Sequence, residues 1–339
     1  MREAGHFVMS DKADNTMPAF LLSRVLQAVG LMFVISVFVF LGVNAIGNPI
    51  DVLIGQDVTE QMRQDAIRSL GLDQPLFWQY IAFAGRFLHG DFGQSFVFNL
   101  SVMTLIMQRL PATLELTAMA VAIAIGLGVP LGILAGYKPH SVIARLIMAA
   151  SIIGFSMPSF WFGLVLILTF AVDLGWLPPG GRGETIEIFG VGWSFLTLDG
   201  LSHLLLPAIN LSLFKLSLLI RLARAGTREI MLTDVVKFAR ATGQSELSIL
   251  RRHVLRLIAI PMVTVIGLEF GSTLAFAVVT ETIFSWPGIG KLIIDSIMSL
   301  DRPVMVAYLM LAALLFVLIN LIVDIAYAVL DPRVGGVRA

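Results

Sequence analysis

The sequence predicts an all-α membrane protein with six transmembrane helices. Of its 339 residues, 57% are apolar and only 14% are charged, whereas a soluble domain has about 45–50% apolar and roughly 25% charged residues. Mean hydropathy is +0.89. Six stretches carry at most one charge each and have the length of about 20 residues that an α-helix needs to cross a hydrocarbon core. Too few polar side chains remain to cover the surface of a soluble globular protein.

The predicted spans follow one another from residue 25 to residue 323. The fourth contains only Lys215 and the fifth only Glu269 as charged residues, and the others have none. The first is longer than the roughly 7–15-residue apolar region of a cleaved signal peptide, and no small-residue cleavage pattern follows it, so we expect it to remain as an anchor. In order, the spans are Val25–Ile50, Leu116–Tyr137, Leu146–Val172 with Pro158 inside it, Gly200–Ile220, Leu257–Thr280 and Pro303–Val323.

The charges of the connecting loops predict the orientation. The loops on one side contain 15 Lys or Arg and 7 Asp or Glu, and those on the other contain 7 and 13. Basic loops stay in the cytoplasm, so we expect both termini to be cytoplasmic. The predicted cytoplasmic segments are 1–24, 138–145, 221–256 and 331–339, and the periplasmic ones are 51–111, 173–199 and 281–302.

Composition also excludes several functional classes. The formal net charge is zero, whereas a protein held by nucleic-acid phosphates is basic. The chain has no cysteine, which excludes disulfides, thiolate metal sites and cysteine nucleophiles. Its five histidines are scattered, so we expect no metal site. Gly288–Lys291 lacks the spacing of a nucleotide-binding Gly-rich loop and the Ser or Thr after its Lys. If ATP drives this protein, another chain binds it.

The third cytoplasmic loop has the most informative pattern. Thr233 is a candidate cap for a helix over Asp234–Thr242, Gly243 ends that helix, and Ser245 is a candidate cap for the next, which runs toward Pro261. The first helix is too short and too polar to cross a membrane. Two interpretations stay open: a helix that lies on the membrane surface, or one that docks into a groove of a cytoplasmic partner. Its modestly apolar face consists of Val235, Phe238, Ala239 and Thr242.

Two periplasmic segments predict short amphipathic helices at the outer face. Phe77–Leu88 is rich in aromatic residues, which settle at the membrane interface. Lys291–Ser299 follows the Pro-Gly turn of Ser285–Gly290 and is expected to cap the outer end of the bundle. Each of the two helices could also be a small folded cap on the outer face that has no role in binding a ligand.

Lys215 and Glu269 are the only plausible buried charges, because Glu115 and Asp324 lie near the ends of spans. Glu269 is near mid-span and must face a pore, a partner or a polar neighbour, whereas Lys215 is close enough to the cytoplasmic end to reach it. Lys215 and Glu269 therefore either line the pore or make structural contacts within the bundle. An alternative function is a self-contained secondary transporter that uses Glu269 and Lys215 to bind coupling ions.

Ten short motifs along the chain carry a family resemblance: Leu70–Pro75, Gly90–Ser95, Leu110–Leu116, Ser156–Trp161, Gly175–Pro178, Ala239–Gly243, Arg252–His253, Pro261, Glu281–Gly290 and Asp331–Arg333. In these motifs the chain resembles the permease subunits of bacterial ATP-binding-cassette (ABC) importers, in the dipeptide/oligopeptide/nickel branch. The resemblance covers nearly all of the chain from about residue 20. It departs from the usual cytoplasmic loop at Lys237 and Phe238, where the general pattern has Glu and Ala, and at Val235 and Thr242.

The resemblance implies the type I ABC importer transmembrane fold in a bacterial inner membrane. It implies that this chain is not an enzyme and binds no cofactor, because ATP and Mg²⁺ belong to partner ATPases. The implied partners are a second homologous permease, two cytoplasmic ATP-binding subunits and a periplasmic solute-binding protein. The implied cargo is a dipeptide, an oligopeptide or a related small solute.

The resemblance also implies a division of the chain. The segments are an N-terminal segment 1–24, a first transmembrane helix 25–50, a periplasmic insert 51–107, a five-helix core 108–331 that includes a coupling loop 226–256, and a tail 332–339. The residues expected to couple to the ATPase are Asp234, Val235, Phe238, Ala239, Arg240, Ala241 and Gly243.

Overall fold

A computed structural model describes residues 17–45, 61, 64, 67, 68 and 73–330. The tail 332–339 and the Asp331–Arg333 motif therefore lie outside the described residues, as does the side chain of Asp324. In chain order the elements are α1 (Met17–Ala45), α2 (Leu76–Leu88), α3 (Val102–Tyr137), α4 (Val142–Ser156), α5 (Ser159–Leu166) with a π-helical extension (Ile167–Asp173), β1 (Ile186–Ile188), β2 (Val191–Trp193), α6 (Leu198–Met231), α7 (Asp234–Ala241), α8 (Glu246–Ile249) with a π-helical turn (Leu250–Val254), α9 (Leu255–Ile283), α10 (Ile289–Met298) and α11 (Arg302–Leu330).

Helices α3 and α6 form the centre of the bundle because small residues let them approach closely. A Cβ atom on Gly132 of α3 would lie 2.6 Å from the Cβ atom of Ala223 on α6, and one on Gly136 would lie 2.6 Å from that of Thr227. Such close backbone contact increases van der Waals packing, which drives helix association in membranes. The pair connects the predicted cytoplasmic loop with the turns at the opposite end of the bundle.

The described helices contain four segments long and apolar enough to cross a membrane, and up to six if each of two bent pairs is one span. The four lie in α1, α3, α6 and α11. The stretch Leu146–Val172 is not one helix: α4 and the α5 segment meet at 109°. Pro158 explains the break, since it disfavours a helical residue before it and begins the next helix. The six-span count remains a prediction.

The fifth predicted span lies in α9, which is bent by 53° at Pro261. Proline lacks an N–H group and its ring clashes with the carbonyl one turn back, so it bends a helix. Gly271 of α9 faces Phe316 and Ile319 of α11, and α11 in turn packs against α1. Helix α11 therefore covers one side of α9 with α1 behind it, and α6 lies on another side of α9.

Short elements close the end of the bundle that is predicted to be periplasmic. Helix α2 packs on α1, where the Tyr80 hydroxyl lies 2.8 Å from Ser36 Oγ and its ring contacts Phe33 and Phe40. Strands β1 and β2 form an antiparallel hairpin in which Ile186 pairs with Trp193. The predicted outer cap exists as α10, which buries a set of side chains and glycine backbone on the bundle: Ile289, Gly290, Leu292, Ile293 and Ser296.

Candidate functional site

Helix α7, on the predicted cytoplasmic side, is held against the bundle by one narrow apolar face. Val236 and Ala239 are buried, and they pack with Ile249 of α8 and with Ile230 and Met231 at the end of α6. These five side chains make one small core that joins α6, α7 and α8. Helix α7 is therefore packed directly on α6 and on α8, the helix that leads into α9.

A neighbouring face of α7, about 100° around the helix, is exposed and mostly apolar. Phe238 is 70% exposed and Val235 is 50% exposed, and Thr242 is exposed beside them. The expected face of Val235, Phe238, Ala239 and Thr242 is therefore wrong in one member, because Ala239 points inward with Val236. Val236, which was not in the expected set, packs on α6 and α8. This contact sets the rotation of α7 about its axis and turns Ala239 inward. Leu232 and Leu247, on either side of α7, are also mostly exposed.

The turn after α7 depends on Gly243. Its φ is +81°, a conformation that glycine adopts without the penalty paid by residues with a Cβ atom. In this conformation the Gly243 N–H donates to the carbonyl of Arg240, and the Gln244 N–H donates to the carbonyl of Ala239. These bonds end the helix as the sequence predicted, one residue earlier than expected, at Ala241.

The predicted caps have different outcomes. The Ser245 side chain accepts a hydrogen bond from the Ser248 N–H, as expected of a helix cap. Thr233 occupies the cap position of α7, but its hydroxyl donates to the carbonyl of Ile230 at 2.7 Å instead of accepting from the new helix. The last turn of α6 competes for the hydroxyl, so Thr233 links the two helices.

Ion pairs surround the exposed face of α7. The Arg240 guanidinium contacts Glu246 with its Nε and Nη2 atoms at 2.7 and 3.1 Å. Hydrogen bonds from this guanidinium hold the pKa of the Glu246 carboxyl below its ordinary value. Lys237 pairs with Asp234 at 2.8 Å, while Ala241 is exposed at the end of the helix. Exposed pairs contribute little stability, but they fix the charges that a partner would meet.

Inside the bundle, the structure brings Lys215 and Glu269 together. Lys215 Nζ on α6 lies 3.9 Å from Glu269 Oε2 on α9. Lys215 is buried, whereas the Glu269 side chain is 24% exposed and also accepts a hydrogen bond from Ser272. Sequence analysis named both residues but did not pair them, because their contact depends on how α6 packs on α9.

Glu115 is a buried acid whose partner the sequence did not indicate. Glu115 Oε2 accepts from Arg182 Nη2 at 2.8 Å, and Glu115 Oε1 accepts from the Phe195 N–H at 2.7 Å. Arg182 also donates to the Gly192 carbonyl of the hairpin at 2.6 Å. Glu115 therefore ties the loop between α5 and α6 to α3, which explains its burial without ion transport.

A further buried acid, Glu281, organises the Glu281–Gly290 motif. Its carboxylate accepts a hydrogen bond from Thr113 Oγ1 at 2.5 Å and one from the Lys291 N–H at 2.9 Å. The indole of Trp286 donates to the Ala112 carbonyl at 2.9 Å. Sequence analysis quoted this motif without assigning Glu281 a role. The signal available was an acid followed by a Pro-Gly turn into a helix, whose first N–H groups attract a carboxylate.

Comparison with known sequences identifies the family. The sequence model described as "Binding-protein-dependent transport system inner membrane component" matches residues 128–336. The model of the N-terminal part of such membrane components matches residues 17–117. Together they cover residues 17–117 and 128–336 of the chain.

Curated relatives agree over almost the whole chain. The di/tripeptide transport system permease protein DppB of Pseudomonas aeruginosa is 37% identical over 94% of this chain and 100% of its own length. The oligopeptide transport system permease protein AppB of Bacillus subtilis is also 37% identical, over 94% and 99%. The glutathione transport system permease protein GsiC of Escherichia coli is 35% identical over 93% and 98%.

Solved structures give the fold. The inward-facing MetNI methionine ABC transporter superposes with a TM-score of 0.55 at 18% identity, over 68% of this chain and 97% of the other. This confirms the expected ABC importer fold. The alternative of a self-contained secondary transporter receives no support from these relatives. The chain belongs to the family of binding-protein-dependent transport system inner membrane components, as a multi-pass permease subunit of an ABC importer and not an enzyme.

Proposed function

We propose that this permease imports di- or oligopeptides or a related small solute. The proposal is supported by relatives named for di/tripeptide, oligopeptide and glutathione transport, which match almost their full length. This chain forms half of the pore, and a second homologous permease forms the other half. Two cytoplasmic ATPases bind and hydrolyse ATP with Mg²⁺, and a periplasmic binding protein delivers the solute. The periplasmic insert spans 51–107 and the core spans 108–331.

The coupling site is the exposed face of α7 within the loop 226–256. The observation that carries this assignment is the two-sided helix: Val236 and Ala239 anchor it, while Phe238 and Val235 are exposed to a partner. An apolar helical face of this kind fits a groove in another protein. When the ATPases close on ATP, they displace α7, and the buried anchor passes this displacement to α6 and α9.

The change Gly243→Val tests the coupling loop. A β-branched residue at φ +81° is strained by at least about 1–2 kcal/mol, so the turn and the angle of α7 should change. Since no atom of another residue lies within 4 Å of a Cβ at this site, the variant should insert into the membrane normally. We expect loss of ATPase co-purification or of ATP-driven uptake in proteoliposomes that contain the complete transporter.

Gly190→Val is the matched control. Gly190 also has a positive φ, +76°, and open space around its Cβ position, but it lies in the β-hairpin turn on the predicted periplasmic side. It should retain ATPase co-purification. Normal uptake by Gly243→Val, or equal loss in both variants, would exclude a specific coupling role for this turn.

The pair Lys215 and Glu269 marks the charged part of the solute path. Each charge would cost about 2.5–3.5 kcal/mol at a bilayer centre if it faced lipid. The exposed part of Glu269 lies where α9 is not covered by α11, since α11 packs on Gly271. A water-filled path or the partner permease on that side removes this cost.

The substrate class has its own test. The complete transporter in proteoliposomes should accumulate a labelled dipeptide when ATP is present and should accumulate less when unlabelled peptides compete. A labelled sugar serves as the control solute. Accumulation of the sugar but not of any peptide would exclude the peptide assignment, while leaving the importer function in place.

A further inference from the structure

A basic groove lies beside the coupling helix, at the point where the chain enters the membrane. Its volume is about 700 Å³. It lies away from the exposed Phe238 tip of α7 and extends along the start of α9. The residues that line it are Val235, Arg251, Arg252, His253, Arg256 and Leu257.

The π-helical turn Leu250–Val254 contributes to this groove. In a π-helix the hydrogen bonds join residues five apart. Arg251 and Arg252 lie within the turn, Arg256 and Leu257 lie shortly after it, and all four line the groove. Single π-helical turns of this type occur often at functional sites.

The three arginines are available for a ligand. Arg251, Arg252 and Arg256 are exposed, and within the part of the chain that the structure describes they have no ion-pair or hydrogen-bond partner. His253 is different, because its Nε2 atom lies 3.1 Å from Gln244 Oε1 and holds the groove against the Gly243 turn. Three unpaired guanidinium groups beside one opening favour an anion.

The other side of the same turn faces the protein. Val254 and Ile258 are buried against Leu219 and Ala223 of α6. The groove must consequently open away from the bundle, because the arginines occupy the remaining surface of the helix. An anion that binds there approaches from outside the bundle and not through the pore.

The depth of the groove matches the lipid headgroups. Arg256 directly precedes the uncharged segment that begins at Leu257. Arg251 lies five residues before Arg256, at most about 7.5 Å further from the hydrocarbon at about 1.5 Å per residue. The distance is less if this segment is tilted, since it is bent by 53° from the segment after Pro261. The three arginines therefore fit within the roughly 5–7.5 Å of polar headgroups on one side of a bilayer. Leu257 is exposed directly below the arginines, where acyl chains would lie.

We propose that this groove binds the phosphodiester headgroup of an anionic phospholipid of the cytoplasmic leaflet. Arg251, Arg252 and Arg256 contact the phosphate, and Leu257 contacts the first part of an acyl chain. Guanidinium groups form strong, charge-assisted hydrogen bonds with phosphate oxygens. The site adjoins α7 through Val235, so a bound lipid would brace the coupling helix against the membrane. The proposal goes beyond the transport function and does not depend on the cargo.

The test compares two variants that each lose three positive charges. The groove variant is Arg251→Gln/Arg252→Gln/Arg256→Gln. The control is Lys138→Gln/Arg145→Gln/Arg228→Gln, which removes exposed cations on the same predicted side but outside the groove. Native mass spectrometry of the full chain, titrated with phosphatidylglycerol or phosphatidylcholine, gives the Kd of the first bound lipid. Thermal unfolding and size exclusion show that each variant is folded.

We expect wild type to bind phosphatidylglycerol more tightly than phosphatidylcholine. The ratio of the two Kd values should fall at least about fivefold in the groove variant, which is the factor for one basic contact. The control variant should keep the wild-type ratio. Arg252→Gln alone gives the same direction if the triple variant does not fold. Equal preference for both lipids in wild type, or equal loss in both triple variants, overturns the proposal.

Two other anions are separated by further arms. Excess inorganic phosphate should not displace phosphatidylglycerol, and displacement would assign the groove to free phosphate. Addition of the ATPase subunits should leave the bound lipid in place. If they expel it and the groove variant releases the ATPases, the groove is an acidic contact of the ATPase and the lipid proposal fails.

Discussion

The environment of Gly288 shows how one missing side chain decides a local structure. Its φ is −94°, so the backbone does not require glycine. A Cβ atom there would lie 2.2 Å from Glu281 Oε1. Gly288 is therefore needed because the buried carboxylate of Glu281 lies directly against the backbone at the start of α10.

Gly288→Ala should destabilise the permease. The added methyl group displaces Glu281, which must give up its hydrogen bonds to Thr113 and Lys291. Overpacking of this kind costs about 1–3 kcal/mol, and we expect a lower Tm in detergent. Gly85→Ala on α2, where nothing lies within 4 Å, should leave the Tm unchanged or slightly raised. Equal Tm values for the two variants would mean that Glu281 adapts without cost.

Glu269→Gln tests the charge of the Lys215 pair at the same scale. The substitution keeps size and hydrogen-bonding capacity but removes the negative charge 3.9 Å from Lys215. If Glu269 lines the solute path, uptake of positively charged peptides should fall while uptake of negatively charged ones is maintained and assembly is intact. The substrates of opposite charge are each other's control. Unchanged uptake of all of them would show that the pair is structural.

At the scale of elements, α7 has one face packed on its own protein and one exposed face, on which the proposed ATPase docking depends. Val236 is fully buried, while Phe238, two residues on, is 70% exposed. The alternation follows from the 100° rotation between residues on a helix. In the proposed function, Val236 therefore contributes to stability and Phe238 to docking, although both belong to the same eight-residue helix.

Substitution by serine should separate these two roles. Val236→Ser should lower the Tm of the purified permease, because it removes methyl groups from the core shared by α6, α7 and α8 and buries a hydroxyl. Phe238→Ser should leave the free energy of unfolding within about 0.5 kcal/mol of the wild-type value, and therefore leave the Tm nearly unchanged. It should nevertheless reduce ATPase co-purification. The docking assignment would be wrong if Phe238→Ser bound the ATPases as wild type does.

At the scale of the whole molecule, the orientation of the spans is the property that can be tested most directly. The chain has no cysteine, so any single cysteine is a unique label. Gln61→Cys, in the predicted periplasmic insert, should react with an impermeant thiol reagent added to intact cells. Gln244→Cys, beside the coupling helix, should react only after the membrane is opened. The reverse pattern would invert the orientation.

Much of the fold follows from local physics. Hydrophobic length predicted helices where α1, α3, α6, α9 and α11 lie, and the capping pattern predicted α7 and its end at Gly243. The break in the third span was less visible, because Pro158 alone does not fix an angle of 109°. The rotation of α7 was also misjudged at Ala239, since Val236 and Phe238 are equally apolar by type and only the neighbours on α6 and α8 distinguish them.

The sequence by itself determined that this chain resides in a membrane, which loops are basic, and which family it resembles. These properties depend on composition, length and contiguous motifs. Tertiary structure alone decided that Lys215 meets Glu269, that Arg182 neutralises Glu115 and that Glu281 holds the start of α10. Each contact joins residues more than fifty positions apart or across a turn, and its geometry depends on how close the helices approach. Hydrophobicity fixes which segments are buried, but close packing fixes which side chains meet.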